Sequence, residues 1–331
     1  MSFEIPNESG LLERVFVLSN EKAFQQIALA VFRLQFVKNK VYGDYCRAIG
    51  KTPDTVFLLQ EIPFLPIQFF KSHAVKTGSF DPAILFQSSG TTGAAHSKHY
   101  VKDAGLYEQS FLTCFKRFYG RPEEYCIVGL LPSYLEQGSS SLVYMVDRLI
   151  RESGHPQSGF YLYDHQQLRE TLESLEKAGQ KTILFGVTYA LLDFAAKYGF
   201  PLRNTILIET GGMKGRKKEL LKEELYEELK AAFSLNAIHS EYGMTELLSQ
   251  AYAINGRYHC PPWMKVVLRD ETDPFLPVQR SGVINVIDLA NIWSCSFIAT
   301  EDLGRLYGDG SFEVLGRLDN TDIRGCSQLA L

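Results

Sequence analysis

The spacing of apolar positions changes once along the chain, near residue 80. Before that point, residues 20–48 set Phe24, Ile27, Ala28, Val31, Phe32, Leu34, Phe36 and Val37 among Gln, Lys and Arg at helical intervals, which predicts an amphipathic helix. A second helix start is expected at Pro53-Asp54, and the proline-punctuated apolar stretch 63–70 reads as an irregular connection. After residue 80 short apolar runs alternate with amphipathic stretches. The predicted strands are 83–86, 126–131, 182–186, 205–209, 237–241 and 282–288, and the predicted helices 103–119, 139–152, 165–178, 188–198 and 216–232. That alternation argues for an α/β sheet with crossover helices. Beyond residue 280 the runs shorten, with strands expected at 293–298, 304–307 and 311–315 as a small β unit. The expected organisation is a helical segment 1–79 packed on the core, an α/β core 80–315 with its late β unit, and a hinge-like motif with a tail at 316–331.

Composition narrows the class. Of 331 residues, 45% are hydrophobic and 22% charged, which suits a soluble globular chain. A formal net charge of −4 leaves no basic surplus, so general nucleic-acid binding is not expected. The one dense basic cluster, residues 214–218, precedes an acidic helix and reads as its solvated start. Cys46, Cys114, Cys126, Cys260, Cys295 and Cys326 show no C-x-x-C or Cys/His metal spacing and read as reduced thiols. The chain starts with acidic residues and no signal-type apolar core, and no run reaches the ~18 apolar residues of a membrane span. A cytoplasmic location is expected.

The most informative chemistry sits at residues 87–93, Gln-Ser-Ser-Gly-Thr-Thr-Gly, directly after the first predicted strand. Gly90 and Gly93 let backbone bend close to a ligand. Ser88, Ser89, Thr91 and Thr92 offer neutral donors, and successive N–H groups can form an anion-binding concavity. The Walker spacing is absent. Taken alone, such a stretch also fits a solvated linker. Four further stretches change that balance. Glu209-Thr-Gly-Gly-Met213 brings Gly211 and Gly212 to a strand end, where a flat ring can lie on backbone. Ser240-Glu-Tyr-Gly-Met-Thr-Glu246 gathers Tyr242, Gly243, Thr245 and Glu246 within five residues. Thr300-Glu-Asp-Leu-Gly304 pairs Glu301 with Asp302 before a glycine, and Gly316-Arg-Leu-Asp319 presents the permanent cation of Arg317.

In this order, Ser-Ser-Gly-Thr-Thr-Gly, Tyr-Gly-Met-Thr-Glu, Thr-Glu-Asp-Leu-Gly and Gly-Arg-x-Asp-x-x-x-Ile-Arg-Gly resemble the adenylate-forming superfamily of acyl- and aryl-activating enzymes, over about three quarters of the chain. Within it the pattern is most similar to the LuxE-type acyl-protein synthetases, which end soon after the Gly-Arg-x-Asp motif and have a near-terminal cysteine. The resemblance implies the superfamily's N-terminal architecture: stacked α/β sheets plus a small β unit, without the usual large C-terminal lid domain. It implies ATP and Mg2+ as cofactors and a carboxylic acid, fatty by analogy with LuxE, as substrate. Ser88 to Gly93 would hold the ATP phosphates, Gly211 and Gly212 would border the adenine, and Tyr242 would stack on it beside Gly243. Thr245 would bond the α-phosphate, Glu246 would hold Mg2+, Asp302 would take the ribose hydroxyls, and Arg317 would reach ribose or phosphate.

The chain departs from the superfamily at three points. The lysine common about three residues past the phosphate loop is missing, and Lys98 or His99 stands nearest to replace it. The C-terminal domain with its adenylation lysine is not in the sequence, and Thr-Gly-Asp becomes Thr300-Glu301-Asp302. The resemblance assigns Cys326 as the thiol that collects the acyl group from the adenylate, with Arg324 favouring the thiolate. A reductase or carrier protein would be the final acceptor. Two alternatives stay open: a relative of phenylacetate-CoA ligase using coenzyme A, and a degenerate member that binds nucleotide or carries acyl groups without catalysis. His239, beside the Tyr242 motif, reads either as a pocket residue or as core.

Overall fold

The computed structural model describes residues 7–88, 95–131, 138–162, 164–211 and 222–318. Three helices come first: α1 (Glu8–Val15), α2 (Glu21–Lys38) and α3 (Lys40–Ala48). The single helix expected over 20–48 is thus two, and Asn39 is the reason. Its side chain accepts from the Tyr42 amide at 3.0 Å to cap α3, while its Nδ2 donates to the Ser294 carbonyl at 2.8 Å. The break anchors the helices to the core. Buried Gln35, one turn earlier, donates to the carbonyls of Asn291 and Ile292 and accepts from the Ser296 amide. No helix forms at Pro53-Asp54, where the chain only turns.

A short strand, β1 (Leu65–Pro66), and α4 (Phe69–Ser72) lead to a hairpin of β2 (Ile84–Gln87) and β3 (Lys98–Val101). The α/β part follows: α5 (Ala104–Tyr119), β4 (Cys126–Leu130), α6 (Ser141–Ser153), β5 (Gly159–Phe160), α7 (His165–Ala178), β6 (Thr182–Val187), α8 (Thr188–Tyr198), β7 (Thr205–Thr210), α9 (Lys222–Phe233) and β8 (His239–Tyr242). β4 to β8 pair in parallel. Their runs Cys-Ile-Val-Gly-Leu and Thr-Ile-Leu-Phe-Gly-Val are apolar throughout because both sides are covered. Cys126, Val128 and Leu130 pack against α7, α8 and α9, while Ile127, Ile183 and Phe185 pack toward α5 and α6.

Beyond β8 the sheet continues antiparallel through β9 (Ala251–Ile254) and β10 (Arg257–His259), then β11 (Met264–Arg269), β12 (Pro277–Val278), β13 (Ser281–Asp288), β14 (Phe297–Leu306) and β15 (Phe312–Arg317). The strand order is β12-β11-β13-β14-β15-β10-β9-β8-β7-β6-β4-β5, with β1 alongside β14. The late strands are joined to the parallel half through the pairing of β10 with β15, at Tyr258 and Phe312. The strand expected at 293–298 begins only at Phe297, because Asp288 to Ser296 form a buried polar loop.

Candidate functional site

β7 and β8 run parallel and adjacent, and both end in a glycine turn. The crevice beyond the carboxyl ends of neighbouring parallel strands is where open α/β sheets place ligands. Gly211 has φ +76°, a left-handed conformation that favours glycine. Thr188, at the start of α8, donates from its hydroxyl to the Glu209 carboxylate or the Gly211 carbonyl and ties this turn to the helix.

One ionic group is fully assembled. The Tyr242 hydroxyl donates to Asp302 Oδ2 at 2.8 Å, and Arg317 Nε lies 3.4 Å from Asp302 Oδ1. Asp302 and Arg317 are direct partners across β14 and β15, so the motifs Thr-Glu-Asp and Gly-Arg meet by strand register. Burial raises the Asp302 carboxyl, and the Tyr242 hydroxyl and Arg317 pull it back down. Arg269 supports the strand by donating to the carbonyls of Thr300 and Ile284 and to Asn285 Oδ1. Glu301, in place of the usual glycine, accepts from Gln68 Nε2, on the opposite side of the strand from Asp302. The Tyr242 ring is 8% exposed and packs edge-on against Phe312 and Tyr258.

The Thr245–Glu246 turn is held from below. Fully buried His99 donates from Nδ1 to the Thr245 carbonyl at 2.8 Å, and its Nε2 lies 3.1 Å from Asn291 Oδ1. Asn291 Nδ2 donates to the Glu246 carbonyl at 2.7 Å. Asp288 accepts from the amides of Leu248 and Ser249 and from the Ser249 hydroxyl. His99 therefore does not replace the phosphate-loop lysine. Burial pushes its imidazole down to about 4 against the opposing pull of these two contacts, and both ring nitrogens are committed to protein. Lys98 is exposed on β3 opposite Gln87, at the base of the loop. The hairpin closes there by backbone and side chain: the Ser88 amide donates to the Ser97 carbonyl, and the Ser97 amide to Ser88 Oγ at 2.9 Å.

Glu246 is 4% exposed. Burial raises its carboxyl, opposed by the Ser97 side chain and the charges of Arg317 and Lys71. A carboxylate beside the base of a phosphate-type loop is a hard oxygen donor that fits Mg2+. Among the described residues no three His, Cys, Asp or Glu come together as a metal cage.

Of the expected site residues, Ser88 and Lys98 stand on the β2–β3 hairpin, Gly211, Tyr242, Gly243, Thr245 and Glu246 at or just past the ends of β7 and β8, Asp302 within β14 and Arg317 at the end of β15. Ser89, Gly90, Thr91, Thr92, Gly93, Gly212 and Cys326 lie outside the described residues. Of the other cysteines, Cys46, Cys114, Cys126 and Cys295 are buried and Cys260 is partly so. Reading the sequence missed Asn291, Asp288, Glu241 and Lys222. Lys222 donates to the Tyr258 hydroxyl at 3.0 Å within reach of the Glu209 charge, and burial lowers its ammonium. Its clue was proximity to the Gly211 turn. Asn291 and Asp288 stood out only as polar residues in the apolar stretch 283–298.

No family model matches the chain, and no curated protein matches it in sequence. Its structure is similar to several solved ones. ATP-bound MatB from Rhodopseudomonas palustris matches with TM-score 0.54 at 16% identity, covering 84% of this chain and 58% of that one. 2-Hydroxyisobutyryl-CoA ligase, in the postadenylation state with R3-HIB-AMP, matches with TM-score 0.63 at 11% identity, covering 93% and 70%. O-succinylbenzoate coenzyme A synthetase MenE from Bacillus subtilis, in complex with AMP, gives 0.50 at 18%, covering 72% and 50%. The chain thus spans about half to 70% of the length of these relatives. At such identities the likeness is one of architecture, and the chain has the fold of the adenylate-forming acyl- and aryl-CoA ligases.

Proposed function

We propose that this chain is an AMP-forming acid–thiol ligase: it activates a carboxylic acid with ATP and transfers the acyl group to a thiol. The observation that carries the reading is the Tyr242–Asp302–Arg317 group, assembled at the end of β8 beside β7, where both strands run into glycine turns. Asp302, with an exposed arginine beside it, suits two ribose hydroxyls, which need acceptors, and an anionic phosphate, which needs a cation. In the reaction, a carboxylate oxygen attacks the α-phosphorus. The bond from that phosphorus to the bridging oxygen breaks, and pyrophosphate leaves with the electron pair. Ser88 to Gly93 would hold the β- and γ-phosphates, and Thr245 would donate to the α-phosphate as its charge grows. Glu246 would hold Mg2+, which neutralises phosphate charge. His99 and Asn291 keep Thr245 and Glu246 in place by gripping their carbonyls.

The acceptor is proposed as Cys326, following the resemblance to LuxE-type proteins. Its thiolate attacks the acyl carbonyl, AMP departs with the electron pair of the anhydride oxygen, and the thioester is then passed to a partner protein. ATP–pyrophosphate exchange across fatty, hydroxy and aromatic acids tests the first half-reaction, and absence of exchange with every acid overturns it. Cys326→Ser should keep exchange while losing labelled thioester on the protein; undiminished labelling refutes the tail nucleophile. Coenzyme A as acceptor is the second reading, favoured by the two CoA-forming enzymes among the structural neighbours. Acyl-CoA formation by the Cys326→Ser variant supports it. The resemblance alone carries the fatty class of acid.

A further inference from the structure

The side of β8 away from Tyr242 holds polar groups that no described residue satisfies. Thr210 and Tyr252 are the direct register partners of Glu241 on either flank, so all three side chains emerge on the same side of the sheet, beneath α5. The hydroxyls of Thr210 and Tyr252 and the Oε1 of Gln250 are buried without a hydrogen-bond partner, in residues 1%, 1% and 4% exposed. Glu241 has no hydrogen bond among the described residues either. Its Oε1 fills the space that a Cβ on Gly243 would take, and Gln250 Cγ lies 3.5 Å from the same point. These groups converge directly under the turn that carries Thr245. The Glu241 charge reaches Cys114, Tyr107 and Tyr119 of α5, and the Tyr252 ring meets Tyr119 edge-on at 5.1 Å and Phe118 at a tilt at 5.3 Å.

Native cores leave few buried polar atoms unpaired, and three in one place, on Thr210, Gln250 and Tyr252, call for a ligand. We propose that this face receives the body of the acid, and that the acid carries a hydroxyl-type substituent, both donor and acceptor, which Glu241, Tyr252, Gln250 and Thr210 recognise. The inference deepens the adenylation reading and rests on it. With its carboxylate at the α-phosphate beside Gly243 and Thr245, an acid would extend over Glu241 toward Tyr252. Gln250 Oε1 requires a donor, whereas the hydroxyls accept or donate. Burial also raises the Glu241 carboxyl to about 8, so at neutral pH it is protonated and suits a neutral partner better than an ammonium. A plain alkyl chain would leave Thr210 Oγ1, the Tyr252 hydroxyl and Gln250 Oε1 unpaired, and sites built to bond a hydroxyl reject the analogue lacking it strongly.

The test is ATP–pyrophosphate exchange by the full chain with propanoic, butanoic and benzoic acids, their hydroxyl- and amino-substituted counterparts, and long-chain fatty acids. The expected result is kcat/KM at least about 100-fold higher for a hydroxylated acid than for its unsubstituted counterpart. In Glu241→Leu and Tyr252→Phe that ratio should collapse toward one, with thermal unfolding confirming that each variant folds. The wild-type ratio stands as a test even where a variant does not fold. Faster turnover of unsubstituted fatty acids or of amino acids, or a ratio unmoved in folded variants, overturns this inference alone. Exchange with no acid at all overturns it together with the adenylation reading.

Discussion

On one side of β8 the hydrogen bonding is complete: Tyr242 donates to Asp302, Ser240 pairs with the Tyr226 hydroxyl at 2.6 Å, and Tyr258 receives Lys222. On the other side, beside Glu241, the described residues leave Thr210 Oγ1, the Tyr252 hydroxyl and Gln250 Oε1 without partners. One strand of four residues separates the two. On the proposed reading a preorganised network and an unfinished one serve different ends. Asp302, already bonded to Tyr242 and beside Arg317, would meet a nucleotide with little reorganisation. The opposite side would be left incomplete, at a cost in folding stability, and make its bonds only with the proposed acid.

The largest effect should come from the complete side. Asp302→Ala removes the acceptor for ribose and leaves Arg317 alone. Charged hydrogen bonds of about 1.5–3 kcal/mol predict KM for ATP raised roughly 10- to 100-fold in the exchange assay. An unchanged KM would sever that group from nucleotide binding. Next come two identical chemical deletions with opposite signs. Tyr242→Phe strips Asp302 of its donor and should lower stability to urea by about 1–3 kcal/mol. Tyr252→Phe removes a buried hydroxyl that has no partner, and should raise stability by up to about 1 kcal/mol while blunting acid preference. Equal losses in both would erase the contrast.

The smallest effect is one of pH. The Glu241 carboxyl titrates near 4.5 when exposed and about 8 in the fold, so between these values the folded chain holds more protons than the unfolded one. Its contribution is therefore most favourable below 4.5 and falls as pH rises to 8. Glu241→Gln should flatten the melting temperature across that window, by about 2–4 °C for each kcal/mol involved. His99 acts in the other direction. Its pKa drops from 6.5 to about 4, so the stability it contributes above 6.5 is lost as pH falls toward 4, and this acid limb should survive in Glu241→Gln. A melting profile that keeps its alkaline decline in the variant would place the titrating group elsewhere.

The parallel strands were legible because burial on both sides writes unbroken apolar runs, as in residues 126–130 and 182–187. β9, β10 and β11 were missed, since antiparallel strands with one wetter side mix polar residues into the run, as in Arg257-Tyr-His259. Asn39 was hidden inside a helical spacing because its capping role depends on Ser294, 255 residues away. Of the expected site motifs, the glycine turn after β7 was readable locally, because Gly211 takes φ +76°, and the ligand roles given to the loop hydroxyls, Asp302 and Arg317 belong to the proposal.

What the amino-acid order determined by itself was local: which runs become buried strands, where the glycine turns fall, and which side chains have chemistry to offer. The tertiary structure alone decided which of these meet. Register across β14 and β15 sets Arg317 against Asp302, and packing brings His99 to Thr245 across 146 residues. It also decided that Glu241, an ordinary acidic residue in the sequence, stands half-buried beside the unpaired hydroxyls of Thr210 and Tyr252. Burial and partnership are properties of the folded neighbourhood, and they turn a residue type into a chemical role.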